Sequence, residues 1–371
     1  MSDDQTRRGD GPVPSPDVSL TQDDSFTATS HKGLDYPLGD FVPGVGQIHR
    51  IADGISWARI PMPGSLGHIN TWLLDDGEGV AVVDTGLMLS MCSDAWKAIF
   101  ADGLGGRAIT RVICTHLHPD HIGLAGWLCK KFDVALWMTR GEWLTARMFT
   151  SEKHTGLPPE AIAMSRAAGW SEAQIEDSRA DGFGKFAEVV FEMPKSYRRI
   201  KHGDLLSFGD QQWEVVVGSG HSPEHACLLN RTSGVLVAGD QILPRISSNV
   251  SVNISEPEAD PLDEWLTSID RLLDLPADLL VCPAHGEPFY GIHTRLTALR
   301  DEHHDRLDRL TEFSQTPRRA VDCFKLLFNR EIAGANNHLA TGEAMAHLRY
   351  LENKGRVGRD VIDGVYWYHA A

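Results

Sequence analysis

The sequence lacks paired cysteines. Its six cysteines, Cys92, Cys114, Cys129, Cys227, Cys282 and Cys323, form no CxxC pair. Most sit in apolar runs such as RVICT and LLVCP, where cysteine acts as a small hydrophobe. That excludes a disulfide framework and points to buried free thiols in a reducing compartment. The chain also lacks any run approaching the ~18 consecutive apolar residues that a membrane span needs, so no membrane partner is expected. The opening stretch MSDDQTRRGDGPVPSPD has no apolar segment of the secretory kind. A cytoplasmic enzyme is the expectation. Positive charge is scarce too: 35 Lys and Arg stand against 51 Asp and Glu, a formal net charge of -16. A chain this acidic repels phosphate backbones, so nucleic acid is not expected as a partner. A small neutral or acyl substrate meets no such obstacle.

What is present suits a soluble globular protein. Hydrophobic residues make up 42% of the 371 residues and charged residues 23%, enough to bury a real core. The length fits one large domain plus an appendage. Residues 1–44, rich in Asp, Ser, Thr, Pro and Gly, read as a flexible tail. From Val45 short β-like runs separated by Asp, Gly and Pro follow one another. The pattern then alternates: a helix at Ser93–Ala101, a strand at Thr110–Thr115, a helix at Pro119–Phe132 and a strand at Val134–Met138. That is the signature of a mixed α/β sheet covered by helices. About residues 140–200 the period is helical, as in an inserted cap. Strand character returns at Leu205–Phe208, Trp213–Val217, Ala226–Leu229 and Gly234–Ala238. A helix near Pro261–Leu273, a strand at Leu279–Cys282 and a long charged helix from about Thr294 to Phe313 complete a domain spanning 45–315. Residues 316–371 form a separate module of two helices and a hairpin with an Asp-Gly turn, a winged-helix-like order.

The densest chemistry lies in Thr115-His116-Leu117-His118-Pro119-Asp120-His121. Three histidines and an aspartate follow an apolar strand and precede a helix opened by proline. Imidazole nitrogen and carboxylate oxygen are the donor types zinc takes. His116 and His118, two apart, share a face of extended backbone. Asp120 and His121 come after the chain turns and can address a second position, so one segment can feed two adjacent metals. Later candidates are single residues at strand ends. His221 lies in GSGHSPEH, with His225 nearby as a supporting or structural residue. Asp240 lies in AGD, His285 in CPAHG and Asp84 in VDTG. Each is weak alone; their joint occurrence at one sheet rim is the signal.

These residues resemble the metallo-β-lactamase superfamily. Its His-x-His-x-Asp-His motif is matched by residues 116–121, its later ligands by His221, Asp240 and His285, and its early strand-end acid by Asp84. The resemblance covers about Val45 to Phe313 and implies an αββα sandwich with the site at one edge. It implies one metal held by His116, His118 and His221, another by Asp120, His121 and His285, and Asp240 between them. Asp84 would orient the ligand loops. Two zinc ions per chain are the implied cofactors, with iron or manganese as alternatives. Two metals about 3.5–4 Å apart lower the pKa of a shared water, so that hydroxide attacks the substrate near neutral pH. Asp120 would orient that nucleophile and move a proton.

The superfamily hosts many activities, so the fold alone does not choose a substrate. A glyoxalase-II-like likeness favours a small thioester or other acyl ester. Lactonase, β-lactamase-like or phosphodiesterase activity is the nearest alternative, and a mononuclear iron sulfur dioxygenase another. Arg245, in the stretch after Asp240, could pair with a substrate carboxylate or phosphate, or form a structural salt bridge. Trp143, Met148, Phe149 and Trp170 in the insert could roof an apolar pocket. The C-terminal module resembles one carried by relatives that cleave single-stranded RNA. Residues 316–371 hold eight Lys/Arg against six Asp/Glu, too little excess for a phosphate-binding face. The module is therefore expected to act as a cap or as the contact of a homodimer.

Overall fold

A computed structural model describes residues 26–152, 156–181, 185–329, 332 and 336–371. Two short strands, β1 (Thr29–His31) and β2 (Leu34–Tyr36), open it. A seven-stranded sheet follows. Its strands are β3 (His49–Ala52), β4 (Ile55–Pro61), β5 (His68–Asp76), β6 (Gly79–Val83), β7 (Ile109–Ile113), β8 (Leu136–Met138) and β9 (Arg198–Arg199). β3 to β6 pair antiparallel, and β6 to β9 parallel. The second sheet contains β10 (Leu205–Phe208), β11 (Gln211–Gly218), β12 (His225–Asn230), β13 (Val235–Gly239) and β14 (Leu280–Pro283). It is antiparallel up to β13, which pairs parallel with β14. The α/β alternation expected around residues 90–140 appears as α1 (Ser90–Ala98), α2 (Pro119–Ile122), α3 (Ala125–Phe132) and the strands between them.

The two sheets lie face to face with helices outside, the αββα sandwich. Side-chain alternation along each strand produces the layers. Ala81 and Val83 of β6, Ala226 and Leu228 of β12, and Val235 and Val237 of β13 share the core between the sheets with Trp57, Trp72 and Trp213. Val80 and Val82 turn the other way, toward Trp96 on α1 and Leu128 on α3. Cys227, Leu229, Leu236 and Ala238 face α7 (Pro261–Leu272) and α8 (Ile292–Phe313). Central strands such as β6, β12 and β13 are therefore buried at every position. That is why they read as continuous apolar runs rather than as alternating ones.

The helical insert consists of α4 (Arg140–Ser151), α5 (Pro159–Ala168) and α6 (Glu172–Asp181). Its end returns to the first sheet as edge strand β9. The C-terminal segment holds α9 (Phe324–Phe328), α10 (Asn336–Asn353) and the hairpin β15 (Val357–Ile362) and β16 (Val365–Ala370). Asp363 and Gly364 turn this hairpin with φ of 51° and 80°, the left-handed pair that an Asp-Gly turn supplies. α10 packs on α5, α7, α8 and the hairpin, and Tyr368 and Leu348 share one core with Trp265 and Leu236.

Two expectations need correction. The flexible tail was to reach residue 44, but residues 26–44 are built into the fold; residues 1–25 lie outside the described residues. Leu34 and Tyr36 are 2% and 1% exposed, and Asp35 exchanges backbone hydrogen bonds with Tyr290 at 3.2 and 2.8 Å. The few apolar side chains of LDYPL each find a tertiary partner, which composition does not reveal. The helix read over Pro119–Phe132 is broken at Gly123-Leu124. A Cβ on Gly123 would sit 2.5 Å from the Gly86 carbonyl oxygen, and Leu124 donates to that same carbonyl at 2.9 Å. Close approach of the 84–87 loop ends the helix there. Among the described residues, no helix is long and apolar enough to cross a membrane.

Candidate metal centre

Every residue singled out as a ligand lies just beyond the C-terminal end of a strand. The 116–121 loop follows β7, His221 follows β11, Asp240 follows β13 and His285 follows β14. Ligand sites in sheets with parallel strands favour this end, where successive loops converge. The two sheets are tied together at this rim. Ala226 donates to the Thr115 carbonyl at 2.8 Å and Asn70 to the Ala284 carbonyl at 2.7 Å, and within the second sheet Ala284 donates to the Gly239 carbonyl at 2.9 Å.

The side chains form two groups. Donor atoms of His116, His118, His221 and Asp240 lie within 4.8 Å of one another, and so do those of Asp120, His121 and His285. In the first group His116 Nε2 stands 2.9 Å from His118 Nδ1 and 3.2 Å from His221 Nε2. Asp240 faces both groups. Its Oδ2 is 3.5 Å from His221 Nε2. Its Oδ1 is 3.6 Å from His121 Nε2 and 3.5 Å from His285 Nε2. Asp120 Oδ2 is 3.3 Å from His285 Nε2.

The outward-facing nitrogens are fixed by hydrogen bonds. His221 Nδ1 donates to the Asn249 carbonyl at 2.7 Å, and His285 Nδ1 to the His68 carbonyl at 2.8 Å. His121 Nδ1 donates to Asp84 Oδ2 at 2.8 Å. His116 Nδ1 donates to Thr115 Oγ1 at 3.0 Å, and that hydroxyl donates to Asp84 Oδ2 at 2.9 Å. These bonds leave Nε2 of all four rings proton-free toward the centre once the rings are neutral, the tautomer metal binding needs. Asp84 has a φ of 64°, a left-handed conformation that costs a non-glycine residue about 1–3 kcal/mol. Its carboxylate also accepts from Thr115 N at 2.8 Å, so one strained residue orients two ligands of the 116–121 loop, His121 directly and His116 through Thr115.

His225 does not face the centre. Its Nε2 accepts from the Asp240 backbone N–H at 3.1 Å, which makes it a support for Asp240. Gly239 permits this contact: a Cβ there would lie 2.5 Å from His225 Nε2, and its φ is 53°. Arg245 pairs with Glu287 at 3.0 Å and lies over the Tyr36 ring at 4.9 Å. Its guanidinium is engaged in the structural salt bridge anticipated as the alternative reading.

The electrostatics suit a cation. Burial, reinforced by the neighbouring imidazoles, pushes His116 well below the ordinary histidine range, and burial with His221 pushes His118 down to about 3. Both rings are neutral at pH 7. Burial pulls His121 and His285 down as well, but carboxylates outweigh it and both end raised: Asp84, Asp120 and Asp240 for His121, Asp240 and Asp120 for His285. For Asp120 and Asp240 burial acts upward, and the neighbouring imidazoles hold both below the usual carboxylate range. Among the described residues, His121 Nε2, His285 Nε2 and Asp240 Oδ1 are buried without a hydrogen-bond partner. Buried polar atoms normally find partners. Three that converge on one another, with mixed nitrogen and oxygen donors, fit divalent metal ions.

Sequence reading missed the residues that hold the loops. Glu142, near the start of α4, is fully buried. Its Oε2 accepts from Leu117 N at 2.8 Å, and its Oε1 accepts from Ser222 Oγ at 2.6 Å and Glu224 N at 2.7 Å. One carboxylate thus joins the His116–His118 loop to the His221 loop. Asn70 does the same for His285: it donates to the carbonyls of Pro283 and Gly286 at 2.8 and 2.7 Å and accepts from Trp57 Nε1 at 2.8 Å. Asn249, through its carbonyl, is a third. No local pattern marks these residues, because their partners lie far away along the chain.

Fold and donor set together define a metal-dependent hydrolase. The chain belongs to the metallo-beta-lactamase superfamily, whose pattern matches residues 64–285. Residues 307–371 match the metallo-beta-lactamase-like C-terminal domain. A solved beta-lactamase domain protein from Burkholderia ambifaria is 38% identical, with a TM-score of 0.85, over 91% of this chain and 98% of that one. The probable metallo-hydrolase YqjP of Bacillus subtilis is 22% identical over 299 residues, 79% of this chain and 91% of that protein. The acyl-coenzyme A thioesterase MBLAC2 of Gallus gallus is 28% identical over 202 residues, 52% of this chain and 64% of that protein.

Proposed function

We propose that the chain hydrolyses a thioester or other small acyl ester with two divalent metals, zinc in the first instance. His116, His118 and His221 would hold one metal, and Asp120, His121 and His285 the other, with Asp240 shared. The observation that carries this reading is Asp240, whose two carboxylate oxygens each face a different histidine group at 3.5–3.6 Å. Bound there, the metals would supply an acidified water as nucleophile and polarise the acyl oxygen.

The chain's own residues do the rest. Asp120, 16% exposed, is more open than Asp240 at 11% and His285 at 5%. It is held ionised by His121 and His285, so it can orient the attacking water and carry its proton to the leaving group. Asp84 and Thr115 keep His116 and His121 in the correct tautomer. No serine or cysteine nucleophile is needed: burial raises the thiol pKa of all six cysteines. The thioester preference is supported by the thioesterase relative. The acidic balance disfavours a nucleic-acid substrate.

The test is metal content of the purified protein together with turnover of a panel: a glutathione thioester, an acyl-CoA, a lactone, a bis-aryl phosphodiester and a short single-stranded RNA. Two zinc ions per chain with thioester turnover are expected. One iron without hydrolysis would replace this reading with a sulfur dioxygenase, and RNA cleavage with a nuclease.

A further inference from the structure

A cavity of about 390 Å³ lies away from the ligands, between the helical insert and the C-terminal segment. Its apolar walls include Phe149 on α4, Leu157, Met164 on α5, Val252, Ile254 and Leu339 on α10. Lys185, exposed, and Glu152, half-buried, are its charged members. Two of its polar members are already engaged. Ser251 Oγ donates to Asn249 Oδ1 at 2.5 Å, and Thr341 Oγ1 donates to the Asn337 carbonyl at 2.7 Å while accepting from Trp170 Nε1 at 2.9 Å. What the cavity offers a ligand is mainly hydrocarbon.

Two of its walls begin at the metal loops. α4 carries Glu142, which holds Leu117 and Glu224; Phe149 follows seven residues later, about 10 Å along the helix. The other wall begins at Asn249, which holds His221; Val252 follows three residues later, at most about 11 Å away. The cavity therefore lies between two segments that lead away from the ligand loops, with a wall residue on each no more than about 11 Å along the chain from the residue that braces the loop. Its volume falls in the range of small-molecule sites, about 300–1,000 Å³.

We propose that this cavity receives the apolar tail of the substrate, so that the acyl group hydrolysed is a medium- or long-chain alkanoyl group. The assignment of that tail to a substrate rests on the acyl-ester reading above. The cavity's affinity for an alkyl chain does not.

The experiment has two arms on the metal-loaded full chain. The first compares kcat/KM for acetyl-, octanoyl- and dodecanoyl-CoA. The second measures binding of dodecanoate by calorimetry. Both are run on the native chain, on Met164→Trp, which fills the cavity, and on Leu339→Asp, at a position 57% exposed where folding is not at stake. The native chain is expected to favour dodecanoyl over acetyl and to bind dodecanoate. Each variant should lower the dodecanoyl-to-acetyl ratio and the dodecanoate affinity at least about tenfold, the effect of excluding two or three methylenes. Acetyl turnover should be unchanged. Dodecanoate that fails to bind, or that binds both folded variants as it binds the native chain, overturns the proposal. Cavity-dependent binding of dodecanoate with no thioester cleaved would sink the acyl-ester reading and leave the alkyl site standing.

Discussion

Glu142 offers the sharpest test of how the centre is held. Replacing it with glutamine keeps shape and volume but exchanges one acceptor oxygen for a donor. The native carboxylate meets three donors: Leu117 N on one oxygen, Ser222 Oγ and Glu224 N on the other. Glutamine satisfies one side only. In its cheaper orientation the amide NH2 faces Leu117 N, leaving a buried N–H unpaired at a cost of about 1–3 kcal/mol. A gain opposes this loss. Burial pushes the Glu142 carboxyl up from 4.5 to about 7, so holding it ionised costs roughly 3 kcal/mol. Its folded-state pKa is raised, so the native chain has its full stability below pH 4.5 and loses part of it as pH rises through about 7. Glutamine has no such loss. At pH 8 the two effects nearly cancel, and Tm should move by only a few degrees. Metal affinity should not escape, because the peptide between His116 and His118 has lost its anchor. A fall of about 10–100-fold is expected, as for other residues that support metal ligands. Tm at pH 8 and a competitive chelator titration read the two quantities separately. Unchanged metal affinity, or a fall accounted for by unfolding alone, would refute the reasoning.

Three further predictions follow from the same geometry. His118→Ala or His221→Ala should abolish hydrolysis while leaving the circular dichroism spectrum of the fold intact; full activity in either would refute the ligand assignment. Metal binding should depend on pH unequally. In the first group His116 and His118, both lowered by burial, have no proton to give up to a metal, whereas the raised His121 and His285 must give theirs up. The binding step at the second group should therefore strengthen more steeply as pH rises and release more protons than the step at the first. Calorimetry in buffers of different ionisation enthalpy checks this, and equal proton release in both steps would contradict it. Gly239→Ala should cost about 2 kcal/mol or more, since its Cβ would lie 2.5 Å from His225 Nε2 at a φ of 53°. Chemical denaturation measures the loss, and a neutral result would mean that His225 does not support Asp240.

The local pattern by itself determined the central strands, most helices and the candidate ligands, while the order of the layers was implied by the family resemblance. Periodicity and strand-end position are properties of neighbouring residues, so β6, β7, β12, β13, α7 and α8 were legible to within a few residues. Five strand ends carrying Asp84, the 116–121 cluster, His221, Asp240 and His285 could be seen as one rim before any coordinates. What only the tertiary structure decided depends on residues far apart in the chain. Glu142 joins loops 25 and 80 residues away, and Asn70 reaches 213 residues to Pro283; no window contains both partners. Leu34 and Tyr36 looked like part of a polar tail until α8 and Tyr290 gave them a core to enter. For Arg245 the sequence left a substrate contact and a structural salt bridge both open, and only the fold brings Glu287 beside it. Burial sets the energy of a charge or a hydrogen bond, and burial is decided by the whole chain.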